Sequence, residues 1–292
     1  LKAAVGSQAP PPFRARPRPG ACLMADGNGA KGDGPSDREL LGDSSAMKTC
    51  ANNEEIARGA LEALNKALVT GKLSLANRDL VEDTVAKSIK VIGRFATMKG
   101  ILPTRKSALP IKEFDVSGNT LFTHLGAQET TAGGKSTRAR RVETVQLVVQ
   151  FVRVSTEAKV VRLDDCGLQG TSHDKDDPLE QEIIRLVKKF GIAKNSRYTE
   201  EVSLVGNFFG ATFVKKIIEG AYWERARHPD KETMPKLHID LRRNRIANPD
   251  RIIEELRAGN TAGGPINVAT MDEPEDARQK ALIVVDFADQ LD

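Results

Sequence analysis

Three stretches of this chain pair residue types that could do chemistry. Gly133-Gly134-Lys135-Ser136-Thr137 ends like a phosphate-cradling loop, in which backbone N–H groups and a lysine grip the phosphates. That loop also needs an earlier glycine at a fixed distance. Glu129 stands there instead, and Gly126 is too far back to wrap a phosphate. Leu282-Ile283-Val284-Val285-Asp286 resembles the apolar strand ending in a magnesium-organising Asp. Without the first glycine, the simpler expectation is a flexible basic loop and an amphipathic helix. His238 and Asp240 stand two apart on an alternating stretch, Leu237 to Arg242. As a strand it puts both side chains on one face, where a His–carboxylate pair can do acid–base work. No Ser or Cys nucleophile lies in a recognisable elbow nearby, so a surface ion pair is the expectation. Tyr222-Trp223-Glu224-Arg225-Ala226-Arg227-His228 holds the single Trp beside cationic groups. Such an aromatic can stack on an unpaired base while arginines hold phosphate, or can simply anchor a core.

Metal and disulfide chemistry find little support. Cys22, Cys50 and Cys166 are scattered, odd in number and without CxxC spacing, which argues for a reducing compartment. His124, His173 and His228 lack ligand spacing, and Asp174, Asp176 and Asp177 lack the glycine of a calcium loop. No metal or cofactor is therefore expected, nor an enzyme. No apolar run approaches the roughly 18 residues that a membrane helix needs.

Charge is the strongest signal. Residues 252–292 carry nine acidic and three basic side chains, although the whole chain is +4. The remainder is therefore strongly basic. Lys87, Lys90, Arg94, Lys99, Arg105, Lys106 and Lys112 run without an intervening acid, and so do Lys135, Arg138, Arg140 and Arg141. Tracts this dense are the footprint of polyanion binding. Trp223, Arg225, Arg227, Arg242, Arg243 and Arg245 extend the candidate nucleic-acid-binding set.

The elements that must position these groups read as mostly helical. Residues 1–51, rich in Gly, Pro, Ser and Asp, read as a disordered arm. Leu1 opens the chain and Met24 is an alternative start, so residues 1–23 read as upstream sequence or a cleaved presequence. Asn52 or Asn53 caps a stripe of Ile56, Ala60, Leu61, Leu64 and Leu68 stopped by Gly71. Ser74 or Asn77 starts a second helix carrying Val81, Val85, Ile89, Ile92 and Phe95, with Lys87, Lys90 and Arg94 beside that stripe. A hairpin is predicted around Phe114 and Val116, turning through Ser117-Gly118-Asn119. Val142 to Val154 fits both periods, and its β-branched density favours a strand, pairing with Lys159–Leu163. Asp177-Pro178 opens a helix to Phe190, and Thr199 opens one carrying Val202, Val205, Phe209, Phe213 and Ile217. Gly206 and Gly210 within that segment suggest close helix packing. Asn248-Pro249 starts a short helix, Gly259 to Gly264 forms a joint, and Pro274 opens a last acidic helix to Leu291. No internal repeat of fixed period is visible.

The predicted fold class is mainly α with a small β element. Its parts are a disordered arm (1–51), a helical lobe with a flexible basic loop (52–137), a C-terminal lobe (138–258), and a hinge with an acidic helical arm (259–292). This layout is similar to that of viral nucleoproteins and filamentous coat proteins in organisation alone. It implies a self-assembling, sequence-independent single-stranded RNA-binding protein, cytoplasmic or in a virion, that forms homo-oligomers through the acidic helix. Alternatives are an organellar assembly or ribosome-associated protein with residues 1–23 as presequence, and an enzyme of unknown class.

Overall fold

A seven-stranded, wholly parallel sheet forms the frame, in the spatial order β1-β2-β3-β4-β5-β7-β6. The computed structural model describes residues 51–80, 82–101, 108–121, 137–169, 178–187, 198–229, 231–259, 261 and 263–291. Along the chain run α1 (Ala51–Thr70), β1 (Lys72–Ser74), α2 (Glu82–Met98), β2 (Glu113–Asp115), α3 (Thr137–Ser155), β3 (Val160–Arg162) and α4 (Pro178–Val187). They continue with β4 (Glu201–Ser203), α5 (Ala211–Ala226), β5 (Leu237–Asp240), α6 (Pro249–Arg257), β6 (Val268–Thr270), α7 (Glu275–Lys280) and β7 (Ile283–Asp286).

This corrects the mainly helical expectation: the chain is α/β. One helix connects each strand to the next from β1 to β5, always stepping the same way across the sheet. Right-handed crossovers of constant direction put their helices on a single face. The helices pack side by side in the same sequence, α1 on α2 through to α5 on α6. Their apolar stripes meet the inward residues of the strands, so one core runs the length of the sheet and no boundary divides it into two helical lobes.

The strands share one register and one turn. Leu73, Phe114, Val161, Val202 and Ile239 are fully buried, and so are Leu75, Val116, Leu163, Leu204 and Leu241 two residues on. Two residues beyond that, Asn77, Gly118, Asp165, Gly206, Arg243 and, after β7, Asp289 all have φ between 50° and 69°. The next residue closes the turn. Asn119 Nδ2 donates to the carbonyls of Leu75 (2.8 Å) and Val116 (2.7 Å), while its Oδ1 accepts from the N–H groups of Arg78 and Leu80. Asn207 and Asn244 do the same two and three repeats later, and Gln290 ends the series with its amide on Leu241 and Phe287. Cys166 holds the corresponding place, its thiol donating to the Val116 and Asp164 carbonyls. Burial pushes that thiol's pKa well up, so it stays protonated as a donor. Each amide thus stitches its own turn to the preceding one, satisfying backbone groups that no sheet ladder reaches. A recurring strand–turn–helix unit of this kind is a solenoid, though its units are of unequal length.

Other expectations change with it. The 142–154 segment lies within α3, not a strand, because Val145, Val148, Val149 and Val152 all reach the core at helical spacing. Helix–sheet packing outweighs their β-branched preference. Val202 and Leu204 belong to β4 and its turn, and the helix starts only at Ala211, because Gly206 at φ 66° cannot continue a helix. No hairpin forms at Phe114, where β2 pairs in parallel with β1 and β3. The acidic C-terminal arm is absent. Residues 275–280 form a single short helix, and Ile283, Val284 and Val285 lie buried in β7, between β5 and β6. The predicted disordered arm lies outside the described residues.

A candidate binding face

All-parallel sheets are usually covered on both sides. Here most of the residues between the buried positions are polar, with Val160, Val284 and Ala269 as the exceptions. Strands lie about 4.8 Å apart, whereas packed helices need roughly 8–10 Å. One helix per strand therefore bends the row so that the strands line the inner side. No described helix among α1–α6 covers that inner face.

Two rows of side chains cross it. In the first, Lys72 Nζ lies 2.7 Å from Glu113 Oε1, Arg162 Nε lies 3.2 Å from the same oxygen, and Arg162 Nη2 lies 2.9 Å from Glu201 Oε1. Four strands are thus linked by alternating charge: Lys72 stands opposite Glu113 in the register, while Arg162, opposite Asp115 and Ser203, reaches diagonally to Glu113 and Glu201. Burial raises the Glu113 pKa, but the bonds and fields of Lys72 and Arg162 outweigh it and leave the carboxyl below its usual range. In the second row, Arg242 makes a two-pronged contact with Asp240 (3.0 and 2.7 Å) and approaches Asp286 at 3.5 Å. Its bond to Asp240 raises its pKa further.

Asp164 sits between these networks. Its Oδ1 accepts from Ser203 Oγ (2.5 Å) and the Val205 N–H (2.9 Å). No cation stands within 4 Å of it among the described residues. Burial, with the field of Asp240, raises its pKa against the effect of those bonds. In total, the described positions facing this side, in the strands and two residues beyond them, carry six acids (Glu113, Asp115, Asp164, Glu201, Asp240, Asp286) and three bases (Lys72, Arg162, Arg242). Each base is already engaged. The face is acidic although the chain is not.

The residues singled out from sequence are spread over the fold. Lys87, Lys90 and Arg94 share an exposed flank of α2, and Lys99 lies 5.6 Å from the Phe95 ring. Arg138, Arg140 and Arg141 belong to the first turns of α3, while Arg105, Lys106 and Lys135 lie outside the described residues, as do His124, His173 and the Asp174–Asp177 loop. Arg225 is 2% exposed and donates inward to the carbonyls of Thr199 and Pro235. Burial lowers its pKa to about 10. Trp223 lies against Gly263, where an added Cβ would sit 2.3 Å from the ring, and Arg227 lies 5.8 Å from its centroid. Arg243 pairs with Asp165 at 2.9 Å, and Arg245 stacks over Phe208 at 4.8 Å. Sequence reasoning placed His238 and Asp240 on one strand face, and they are there. Asp240 pairs with Arg242, however, and the buried His238 Nε2 has no hydrogen-bond partner among the described residues.

The inner-face residues Glu113, Asp115, Arg162, Asp164 and Glu201 escaped sequence reasoning. Their signal was the recurring turn, which places a polar residue between two buried apolar ones in every unit. Among the described residues, no group of three His, Cys, Asp or Glu side chains is arranged to hold a metal, and no helix is long and apolar enough to cross a membrane. No protein-family profile matches the chain, and no curated protein or solved structure is significantly similar to it.

Proposed function

We propose that this chain is a recognition module that holds a protein partner against the inner face of its sheet. The observation that carries the reading is the one-sided sheet. A parallel sheet that none of the described helices α1–α6 covers on one side carries ordered rows of mostly polar side chains there, held in register by a turn repeated in each unit. The unit resembles the leucine-rich-repeat pattern, with apolar residues at Leu163 and Leu168 around Cys166, and at Leu204 and Phe209 around Asn207. Solenoids of that kind use an extended curved surface for binding.

Site-specific photocrosslinking tests the reading. A crosslinkable residue at Val160 or Ala288, on the inner side, should capture the partner. The same group at Lys90 or Arg251, on exposed helix flanks, should not. Capture from the helix flanks alone would overturn it.

A second reading has its own observation. Lys87, Lys90 and Arg94 line one exposed flank of α2, the arrangement a phosphate-contacting helix needs for sequence-independent single-stranded RNA binding. Anisotropy with a random-sequence RNA at low salt tests it. Replacing all three by Glu should abolish binding, and unchanged binding would end this reading.

A further inference from the structure

Whatever occupies the inner face must answer its charge. We propose that it takes an extended, arginine- or lysine-bearing polypeptide segment, one of whose cationic groups lands on Asp164. This rests on reading the inner face as the binding surface and adds the chemical class of what binds.

Three observations converge on it. The face has a surplus of carboxylates, and its three bases Lys72, Arg162 and Arg242 are each already held by acids of the same face. A partner therefore finds no spare cation here but does find spare negative charge. Asp164 is where that surplus is least answered: its Oδ1 is bonded by Ser203 and Val205, and Oδ2 accepts no hydrogen bond among the described residues. Asp115, on the neighbouring strand β2, is 8% exposed; its Oδ1 accepts from the Ser117 N–H (3.0 Å), and its nearest cation is Lys72 at 3.9 Å. A guanidinium or ammonium group placed on Asp164 gains a carboxylate that has no ion pair within 4 Å among the described residues, and so displaces none. Finally, the ion-pair row from Lys72 to Glu201 fixes the carboxylates flanking that point before a partner arrives, which lowers the ordering cost of association. Nucleic acid is disfavoured on this side, because phosphates would face six carboxylates.

A fluorescent (Gly-Arg)5 decapeptide is the probe, with (Gly-Glu)5 as the opposite-charge control. The chain's net charge of +4 gives a basic peptide no general attraction, so saturable binding reports a local acidic surface. The expected result is one-to-one binding of the arginine peptide and none of the glutamate peptide. Asp164→Asn should weaken that binding about tenfold, since it removes a charge partner while keeping the side chain's shape. Hydrogen exchange on the unaltered protein keeps the test independent of the variant's folding. Protection on adding peptide should appear in β3 and β4 and their turns. Full affinity in the variant, protection confined to the helices, or no binding of the arginine peptide would each overturn the proposal. Inner-face crosslinking in the preceding experiment would survive any of these, so the two failures are separable. An RNA oligomer protecting β3 and β4 in place of the peptide would also overturn it.

Discussion

At the scale of single residues, the turn amides carry more of the fold than any surface charge. Asn207 is fully buried, donates to the carbonyls of Leu163 and Leu204 and accepts from the N–H of Leu168. Asn207→Ala leaves those groups unpaired where water does not reach, and should lower unfolding free energy by about 3 kcal/mol in urea titrations. Lys159 also has a good partner, Glu200 at 2.5 Å, but the pair is solvated. Lys159→Ala should cost less than about 1 kcal/mol. Gly206 is constrained in two ways: φ is 66°, and an added Cβ would lie 1.9 Å from Asp165 Oδ1. Gly206→Ala should cost about 2 kcal/mol, and by moving Asp165 it should also loosen the Arg243 pair. Two carboxylates of the inner face respond oppositely to pH. Asp164 has a raised pKa, so its contribution to stability is full below the ordinary Asp range and is lost as pH rises through the raised value. Asp164→Asn should therefore be more stable than the parent near pH 7 and equal to it near pH 3. Glu113 has a lowered pKa, and its contribution is present above the ordinary Glu range and lost as pH falls through the lowered value. Glu113→Gln should be weaker by about 1 kcal/mol near pH 7, with the gap closing on acidification. Urea midpoints at the two pH values decide both.

At the scale of elements, most helices were legible, whereas strands were read only around Phe114–Val116, at Lys159–Leu163 and at Leu237–Arg242, without their parallel pairing. Caps and stops marked α1, α4 and α6, because Gly71, Pro178, Pro249 and Gly259 act locally and leave a signature in the sequence. Most of the strands are three residues long, too short for alternation to stand out from the helical spacing around them. Val202, Val205, Phe209 and Phe213 show the problem: read as one helical stripe, they divide between β4, its turn and α5. The repeat was hidden for a related reason. Its units are unequal, and the residue closing the turn changes from Asn119 to Cys166, Asn207, Asn244 and Gln290. Those side chains share a hydrogen-bonding role more than a chemical type. The inner face was unreadable because its residues are neighbours only across the sheet: Glu113, Arg162 and Glu201 are far apart in sequence, lie on adjacent strands and meet diagonally. His238 and Asp240 were legible because strand periodicity alone puts them on one side.

At the scale of the whole molecule, the C-terminal segment is structural. Gln290 bonds to Leu241 and accepts from Ile246, and β7 supplies the neighbour of β5 on one side and of β6 on the other. Truncation after Ala281 should unravel the units from β5 onward, seen as loss of hydrogen-exchange protection at residues 237–258 and a lower melting temperature, with β1 to β3 largely retained. Normal protection in the truncated chain would contradict this role for β7. The same strand order has a consequence for synthesis. From β2 to β5, each strand emerging from the ribosome finds its template already in place. β6 emerges before β7, its one sheet partner among the described strands, and must wait beside the open edge of β5 until β7 arrives. Until then two unpaired edges stand side by side, so chaperone capture and misassociation of nascent chains should concentrate between the appearance of Val268 and that of Asp286.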